Sequence, residues 1–422
     1  MKLKERLKAS YYWVIAAVTV LAMIACGGIG SGLTGVVLVP VTEDLGLTRG
    51  QFSTEVTIFS AVGVVVNLIS GVLFIKFGYR KLIFGCLGLA ALGYMLGSFS
   101  NGLLGLCLAA VLEGMYGVCN RSGNPRILGA WFHRHYGTIM GVITCTTGFG
   151  GGLFSLLFQK TEAAFGWRGA YRVAGLCYLV VALLVLLLVR DKPSDIGIKP
   201  FGEGEITKNA KREARDHWEG FDMAVLKKKP TFYMMVAGTF LSSACVFMCF
   251  YVISAHAQDC GMSAEIGATA QSVMLFSLGA FKLVFGYLSD RIGAKTMTMV
   301  SLVALTVSLF MLASVDGQTS LHAAMVVYSL SLSLTIMAPT MLAPSLFGYR
   351  SGAKAMGIIL AAAPAANMVA PRLCNALYDA CHTYVPIFRG TALASLGVIV
   401  LYCLMYALAN KDRKKFEQNK TA

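Results

Sequence analysis

Gly71-Val-Leu73-Phe-Ile75-Lys76-Phe-Gly78-Tyr-Arg80 and Gly286-Tyr-Leu288-Ser-Asp290-Arg291-Ile-Gly293-Ala-Lys295 are one pattern written twice, 215 residues apart. Gly71 falls on Gly286, Leu73 on Leu288, Lys76 on Arg291, Gly78 on Gly293 and Arg80 on Lys295 at a single offset. The chain is therefore two copies of one unit. Each copy of the loop is flanked by long apolar stretches, and duplicated membrane bundles around a central cavity expose one site alternately to two sides.

Working outward from these loops, the rest of the chain is mostly hydrocarbon. Hydrophobic residues make up 56% of the 422 residues and charged ones 14%, with a mean hydropathy of +0.68. Such values lie outside the range of water-soluble domains. Low-charge segments at 12–39, 51–75, 82–99, 103–130, 137–159, 169–190, 231–257, 264–290, 296–315, 321–348, 354–379 and 387–409 are each long enough to cross a ~30 Å hydrocarbon core as a helix. Continuous apolar runs without strict alternation exclude a barrel. The expected fold is an all-α membrane protein of twelve transmembrane helices in two pseudo-symmetric six-helix bundles. We number the crossings as spans 1 to 12. The expected organisation is a first bundle at 1–190, a cytoplasmic linker at 191–229, and a second bundle at 230–422 ending in a short cytoplasmic tail.

The net charge of +15 invites a nucleic-acid reading, but the charges sort by side. With the N-terminus inside, about 27 of the 36 Lys and Arg residues become cytoplasmic, including Lys76, Arg80, Arg291, Lys295, the 190–229 cluster and the tail from Lys411. That is the positive-inside pattern, with both termini cytoplasmic. The implied location is the cell membrane, multi-pass, with the lipid bilayer as partner and no nucleic acid. The basic start runs straight into the first span, which reads as a retained crossing rather than a cleaved signal. The twelve cysteines lack paired metal-type spacing and read as small packing residues. No metal and no cofactor is expected. A stretch of the linker, 206–218, reads either as an amphipathic helix lying on the anionic membrane surface or as a solvated tether.

Glycines cluster at Gly27, Gly28, Gly30 and Gly32 in span 1 and at Gly148, Gly150, Gly151 and Gly152 in span 5. Small residues let helix backbones approach closely. Neither cluster continues into Gly-Lys-Ser/Thr or follows a strand, so a phosphate loop is excluded.

The two loop motifs resemble the signature of the major facilitator superfamily. Within it, Pro40-Val-Thr-Glu-Asp-Leu-Gly-Leu-Thr48, Trp131-Phe132 followed by Gly137 and Gly141, and Asp191-Lys-Pro-Ser-Asp-Ile-Gly-Ile-Lys-Pro200 resemble the bacterial monocarboxylate-porter and oxalate/formate-antiporter-like branch. The resemblance implies a secondary transporter, and it covers essentially the whole chain. In that branch carboxylate transporters carry an arginine four residues before the second loop's glycine, where this chain has Lys282. It departs at Leu278, where proton-coupled monocarboxylate porters place a carboxylate, and at Ala363, where oxalate-type members have a lysine.

Ionisable residues inside spans are costly and face the protein interior, which makes them functional candidates. Lys282 lies eight residues before Asp290, ~12 Å from the cytoplasmic end, and Arg121 lies ten before Trp131, ~15 Å from it. Arg372 in span 11 and Asn67 in span 2 complete the substrate-binding candidates. Arg126 sits near enough to an end to snorkel. Glu113, read as the lone acid deep in a span, is the proton-coupling candidate, with H+ as the coupling ion and a structural hydrogen-bonding role as the alternative. The gating motif comprises Gly71, Gly78, Arg80, Gly286, Asp290, Arg291 and Gly293. Pro339, Pro344 and Pro364 mark spans 10 and 11 as bendable, and His256 reads as an interfacial histidine. The expected function is transport of a small organic anion, a mono- or dicarboxylate, by a monomeric carrier. The alternatives are a carrier for amphipathic or uncharged solutes and a transporter-like sensor that binds without transport. No arrangement of nucleophile, base and oxyanion donors is present for an enzyme.

Overall fold

The computed structural model describes residues 2–119, 123–132, 136–201, 222–332, 337–347 and 352–421. Its helices run through the twelve expected spans. Span 1 is Lys2–Leu45. Spans 2 and 3 form one helical run, Arg49–Gly97, broken at Gly78, and spans 5 and 6 form another, Tyr136–Leu188, broken at Gly166. Spans 8, 9, 11 and 12 are Ala264–Ile292, Ala294–Leu312, Gly352–Cys381 and Val385–Thr421.

Three crossings differ from plain helices. Span 4 is helical over Leu103–Glu113, tightens to a 3-10 turn at Gly114–Tyr116, and resumes at Asn124–Trp131. Span 7 divides into Pro230–Phe250 and Ile253–Asp259. The described part of span 10 comprises Gln318–Leu332 and Met337–Phe347, the latter containing Pro339 and Pro344. Pro364 and Pro371 lie inside the helix of span 11. The expected amphipathic stretch at 206–218 lies outside the described residues.

Duplication is written into the backbone. Positive φ occurs at Gly46 and Gly261, 215 residues apart, and at Gly78 and Gly293, also 215 apart. Gly166 and His382, 216 apart, make a third pair at the turns between spans 5 and 6 and between 11 and 12. A side chain in this region costs about 1–2 kcal/mol, so glycine takes most of these turns. The turn after span 1 reads Asp44-Leu-Gly46-Leu-Thr48 and the turn after span 7 reads Asp259-Cys-Gly261-Met-Ser263. Thr48 caps span 2, accepting from the Gln51 amide at 3.1 Å while its own N–H donates to Gln51 Oε1 at 2.9 Å. At the equivalent place Ser263 accepts from the Ile266 amide at 3.3 Å. Caps of this kind contribute about 1 kcal/mol each.

The chain divides into two compact units, Met1–Ile206 with Tyr251–Leu283, and Thr207–Phe250 with Val284–Ala422. In the first unit the glycines of spans 1 and 5 abut. A Cβ on Gly28 would lie 2.7 Å from the Gly150 carbonyl carbon, and one on Gly32 would lie 2.8 Å from the Ser155 backbone nitrogen. The obstacles are backbone atoms, so the fit requires glycine, as expected of small-residue helix packing. In the second unit Tyr328 donates to the Val246 carbonyl, Thr306 and Ser395 hydroxyls meet at 2.7 Å, and Lys229 pairs with Asp412 at 2.9 Å. Apolar side chains left uncovered form lipid-type stripes: Val65, Leu68, Ile69, Val72 and Ile75 follow one face of span 2 at helical spacing, and Leu393, Leu396, Val400 and Leu404 one face of span 12.

Candidate functional site

Spans 5 and 8 pack antiparallel in the first unit, and their contacts step along both helices. Ser155 Oγ donates to the Ala268 carbonyl at 3.3 Å, and Ser272 Oγ donates to the Gly152 carbonyl at 3.1 Å. Next in the series, a Cβ on Gly148 would lie 2.5 Å from the Gly279 nitrogen. This close approach sets the next step. Lys282 Nζ, three residues beyond Gly279, donates to Thr147 Oγ1 at 2.7 Å and to the Thr144 carbonyl at 3.4 Å. Among the described residues no carboxylate lies within ion-pair distance of Lys282. A part-buried ammonium is thus held by one hydroxyl and one carbonyl, and no carboxylate among the described residues balances its charge.

Other polar groups line the same packing. Gln271, fully buried, donates from Nε2 to the Ser31 carbonyl at 2.6 Å. Its Oε1 has no hydrogen-bond partner among the described residues. Arg49 at the start of span 2 grips Asp259 with both guanidinium nitrogens, each at 2.9 Å. The first-copy counterpart, Asp44, is instead taken by Arg168 at 2.6 Å and the Trp167 indole N–H at 3.0 Å.

The remaining sequence candidates separate. Arg121 lies outside the described residues. Arg126 is exposed, with its guanidinium 5.2 Å from the Phe74 ring centre. Arg372 is exposed on span 11. Asn67 donates from Nδ2 to the Gly63 carbonyl of its own helix at 2.7 Å, beside Gly117 of span 4. His256 is buried, with the Cys260 sulfur 3.8 Å from its ring. The side chains of Asp290 and Arg291 lie outside the description, whereas Arg80 Nε donates to the Leu186 carbonyl. Glu113 is buried as expected, but it is not the lone buried acid. Glu55 of span 2 is 5% exposed, and Tyr171 of span 6 donates to its Oε1 at 2.7 Å. Its place only a few residues inside the apolar run made it resemble an end residue.

Similarity to known proteins agrees with this architecture. The chain is 28% identical over 258 residues to the membrane sensor protein UhpC of Salmonella typhimurium (strain LT2), covering 58% of this chain and 57% of that protein, so the match spans less than two thirds of that relative. A probable hexose phosphate transport protein of Chlamydia pneumoniae is 26% identical over 150 residues, covering 32% of this chain and 33% of that protein. Neither name belongs to the monocarboxylate or oxalate–formate branch. The crystal structure of the nucleoside transporter NupG (D323A mutant) superposes with a TM-score of 0.75 at 13% identity, over 94% of this chain and all of that one, a likeness of fold. The model of the Major Facilitator Superfamily matches residues 20–352 and 235–422, and the chain is a multi-pass membrane protein belonging to that superfamily.

Proposed function

We propose that this protein is a secondary transporter that moves a small organic anion across the cell membrane by alternating access, with both termini cytoplasmic and the halves 1–190 and 230–422 as its moving parts. The observation that carries the reading is Lys282, a part-buried cation held by Thr147 and Thr144 with no carboxylate beside it among the described residues. Intramembrane charge is retained where it is used, and an ammonium with no counter-ion among the described residues is a place for a ligand anion. Arg121 from the other sequence half completes the clamp in this reading, and Arg372 and Asn67 remain further substrate-binding candidates. A ligand that engages both halves binds the closed arrangement better than the open one, which links occupancy to the exchange between states.

A carboxylate is the substrate class favoured by the position of Lys282 relative to Gly286 in the branch it resembles. The Chlamydia relative's name, hexose phosphate transport protein, adds organic phosphates to the anions worth testing. A second reading has its own support, since UhpC is named a sensor: here the same Lys282 site binds an anion without moving it. Purified protein should be screened by thermal shift against carboxylates, sugar phosphates, nucleosides and cationic drugs, because a ligand specific to the native state raises its stability. Hits are then assayed for counterflow in proteoliposomes. Anion stabilisation with counterflow supports transport, stabilisation without flux supports the sensor, and stabilisation by uncharged or cationic compounds alone overturns the anion reading.

A further inference from the structure

Two buried carboxyl groups share one compartment of the first unit. Glu55 of span 2 and Glu113 of span 4 are 5% and 1% exposed and lie within electrostatic reach of each other. The compartment is walled by tyrosines. Tyr171 donates to Glu55 Oε1 at 2.7 Å. The Tyr94 ring of span 3 lies 5.8 Å from that of Tyr171 and 5.4 Å from that of Tyr178, and Tyr116 lies 6.0 Å from Tyr178. Tyr251 of span 7 faces Tyr94.

The hydrogen-bond inventory is incomplete in a specific way. Glu55 Oε2, Glu113 Oε1 and the Tyr178 hydroxyl are buried and have no partner among the described residues. The cations on the surrounding elements are engaged elsewhere. Arg49 grips Asp259, Arg168 grips Asp44, and Arg172 lies over Phe99 with its Nε toward Ser98. Two carboxylates this deeply buried, with no counter-ion among the described residues and one hydroxyl donor between them, are not both ionised. Glycine shapes the compartment too, since a Cβ at Gly93 would lie 2.8 Å from the Glu113 backbone nitrogen.

We propose that Glu55 and Glu113 form a proton-binding site, a carboxyl pair that holds two protons in one state and one in the other. Release breaks the Glu55 O–H bond. The proton passes to water, and the electron pair stays on the Glu55 carboxylate, where the Tyr171 O–H supports it. Glu113 keeps its proton because its buried Oε1 has no donor among the described residues to support a carboxylate, and the Glu55 charge beside it adds to that cost. Proton binding stands on this geometry alone, and only its use in coupling rests on the transport reading.

The test needs no substrate. Full-length protein in liposomes is titrated from mildly acidic to alkaline buffer, and infrared difference spectra follow the C=O stretch of protonated carboxyl groups. One carboxyl equivalent should convert to carboxylate in the native chain, and Glu55→Gln should abolish that conversion. In Glu113→Gln the conversion should persist, because Glu113 is neutral while Glu55 titrates and Gln keeps that neutrality. Tyr171→Phe, which leaves both acids in place, should raise the proton affinity of the titrating group about tenfold, as expected for loss of a hydrogen bond to a charged group. A native chain in which no buried carboxyl titrates would make the pair a permanently neutral structural element and overturn the proposal. So would a signal that survives both Gln variants, a midpoint unmoved in Tyr171→Phe, or a band displaced by Na+ in place of choline at fixed pH, which would mark a metal-cation site. Each of these results leaves the anion reading of Lys282 untouched.

Discussion

Asp191 Oδ1 accepts the backbone N–H of Arg80 at 2.8 Å, so the linker supplies a carboxylate to the start of span 3. The two loop motifs differ at the acidic position, with Ile75 in the first copy and Asp290 in the second. Ile75 is exposed, and the first loop has its acid delivered from 111 residues away. A side chain on Gly78 would collide with Asp191 Oδ2, so glycine there serves both the positive φ and the approach of the carboxylate.

Replacing Asp191 with Asn should lower stability by about 0.5–2 kcal/mol, the range for a cap carboxylate facing free amides at a helix start. Ile75→Ala should change it by less than about 0.5 kcal/mol. Thermal melts of the two variants in one detergent check the contrast.

The Arg49–Asp259 pair should show real coupling, because its bonds are two-pronged and both side chains are largely covered, at 14% and 22% exposure. A double-mutant cycle with Arg49→Ala and Asp259→Ala should return about 1–3 kcal/mol, above the value for exposed ion pairs. Additive single effects would show that the contact contributes nothing to stability.

Glycine positions should divide by contact rather than by membership of the repeated motif. Gly148→Ala and Gly28→Ala each force a Cβ against backbone and should cost about 1–3 kcal/mol. Gly71, a motif residue, has open space where its Cβ would stand, and Gly71→Ala should be tolerated. Melting temperatures across the three variants settle the order.

The spans and the duplication were legible because apolar runs and turn glycines are local signals. Even Asp44-x-Gly46-x-Thr48 and Asp259-x-Gly261-x-Ser263 could have been matched at the 215-residue offset. The interruption after Glu113 was not legible, since Gly114, Met115 and Tyr116 are compatible with a continuing helix. Lys282 was identifiable by depth. Its partners Thr144 and Thr147 were not, because the Gly148–Gly279 approach that brings them together is a tertiary register. Glu55 was passed over because its distance from the end of the apolar run says nothing of the Tyr171 hydroxyl that covers it.

The gate at the second loop remains testable through its own residue. In the gating role we propose for the second loop, the Asp290 carboxylate faces free amides at a helix start, which contributes roughly 0.3–2 kcal/mol. Asp290→Asn should therefore shift the population toward the inward-open state by up to ~10-fold, with Ile75→Ala shifting it much less. Distances between spin labels at the cytoplasmic ends of spans 5 and 8 report the shift, and equal distributions in the two variants would remove Asp290 from the gate.

The central claim is that the Lys282 ammonium binds the anion. The most direct measurement is anion-dependent thermal stabilisation of the native chain beside Lys282→Ala, Lys282→Arg and Thr147→Val, using whichever carboxylate or organic phosphate stabilises the native protein. Lys282→Ala should lose the stabilisation while melting cooperatively without ligand. Lys282→Arg should retain part of it, and Thr147→Val should keep it, since the hydroxyl orients the ammonium but carries no charge. Undiminished stabilisation by the anion in Lys282→Ala would contradict the account.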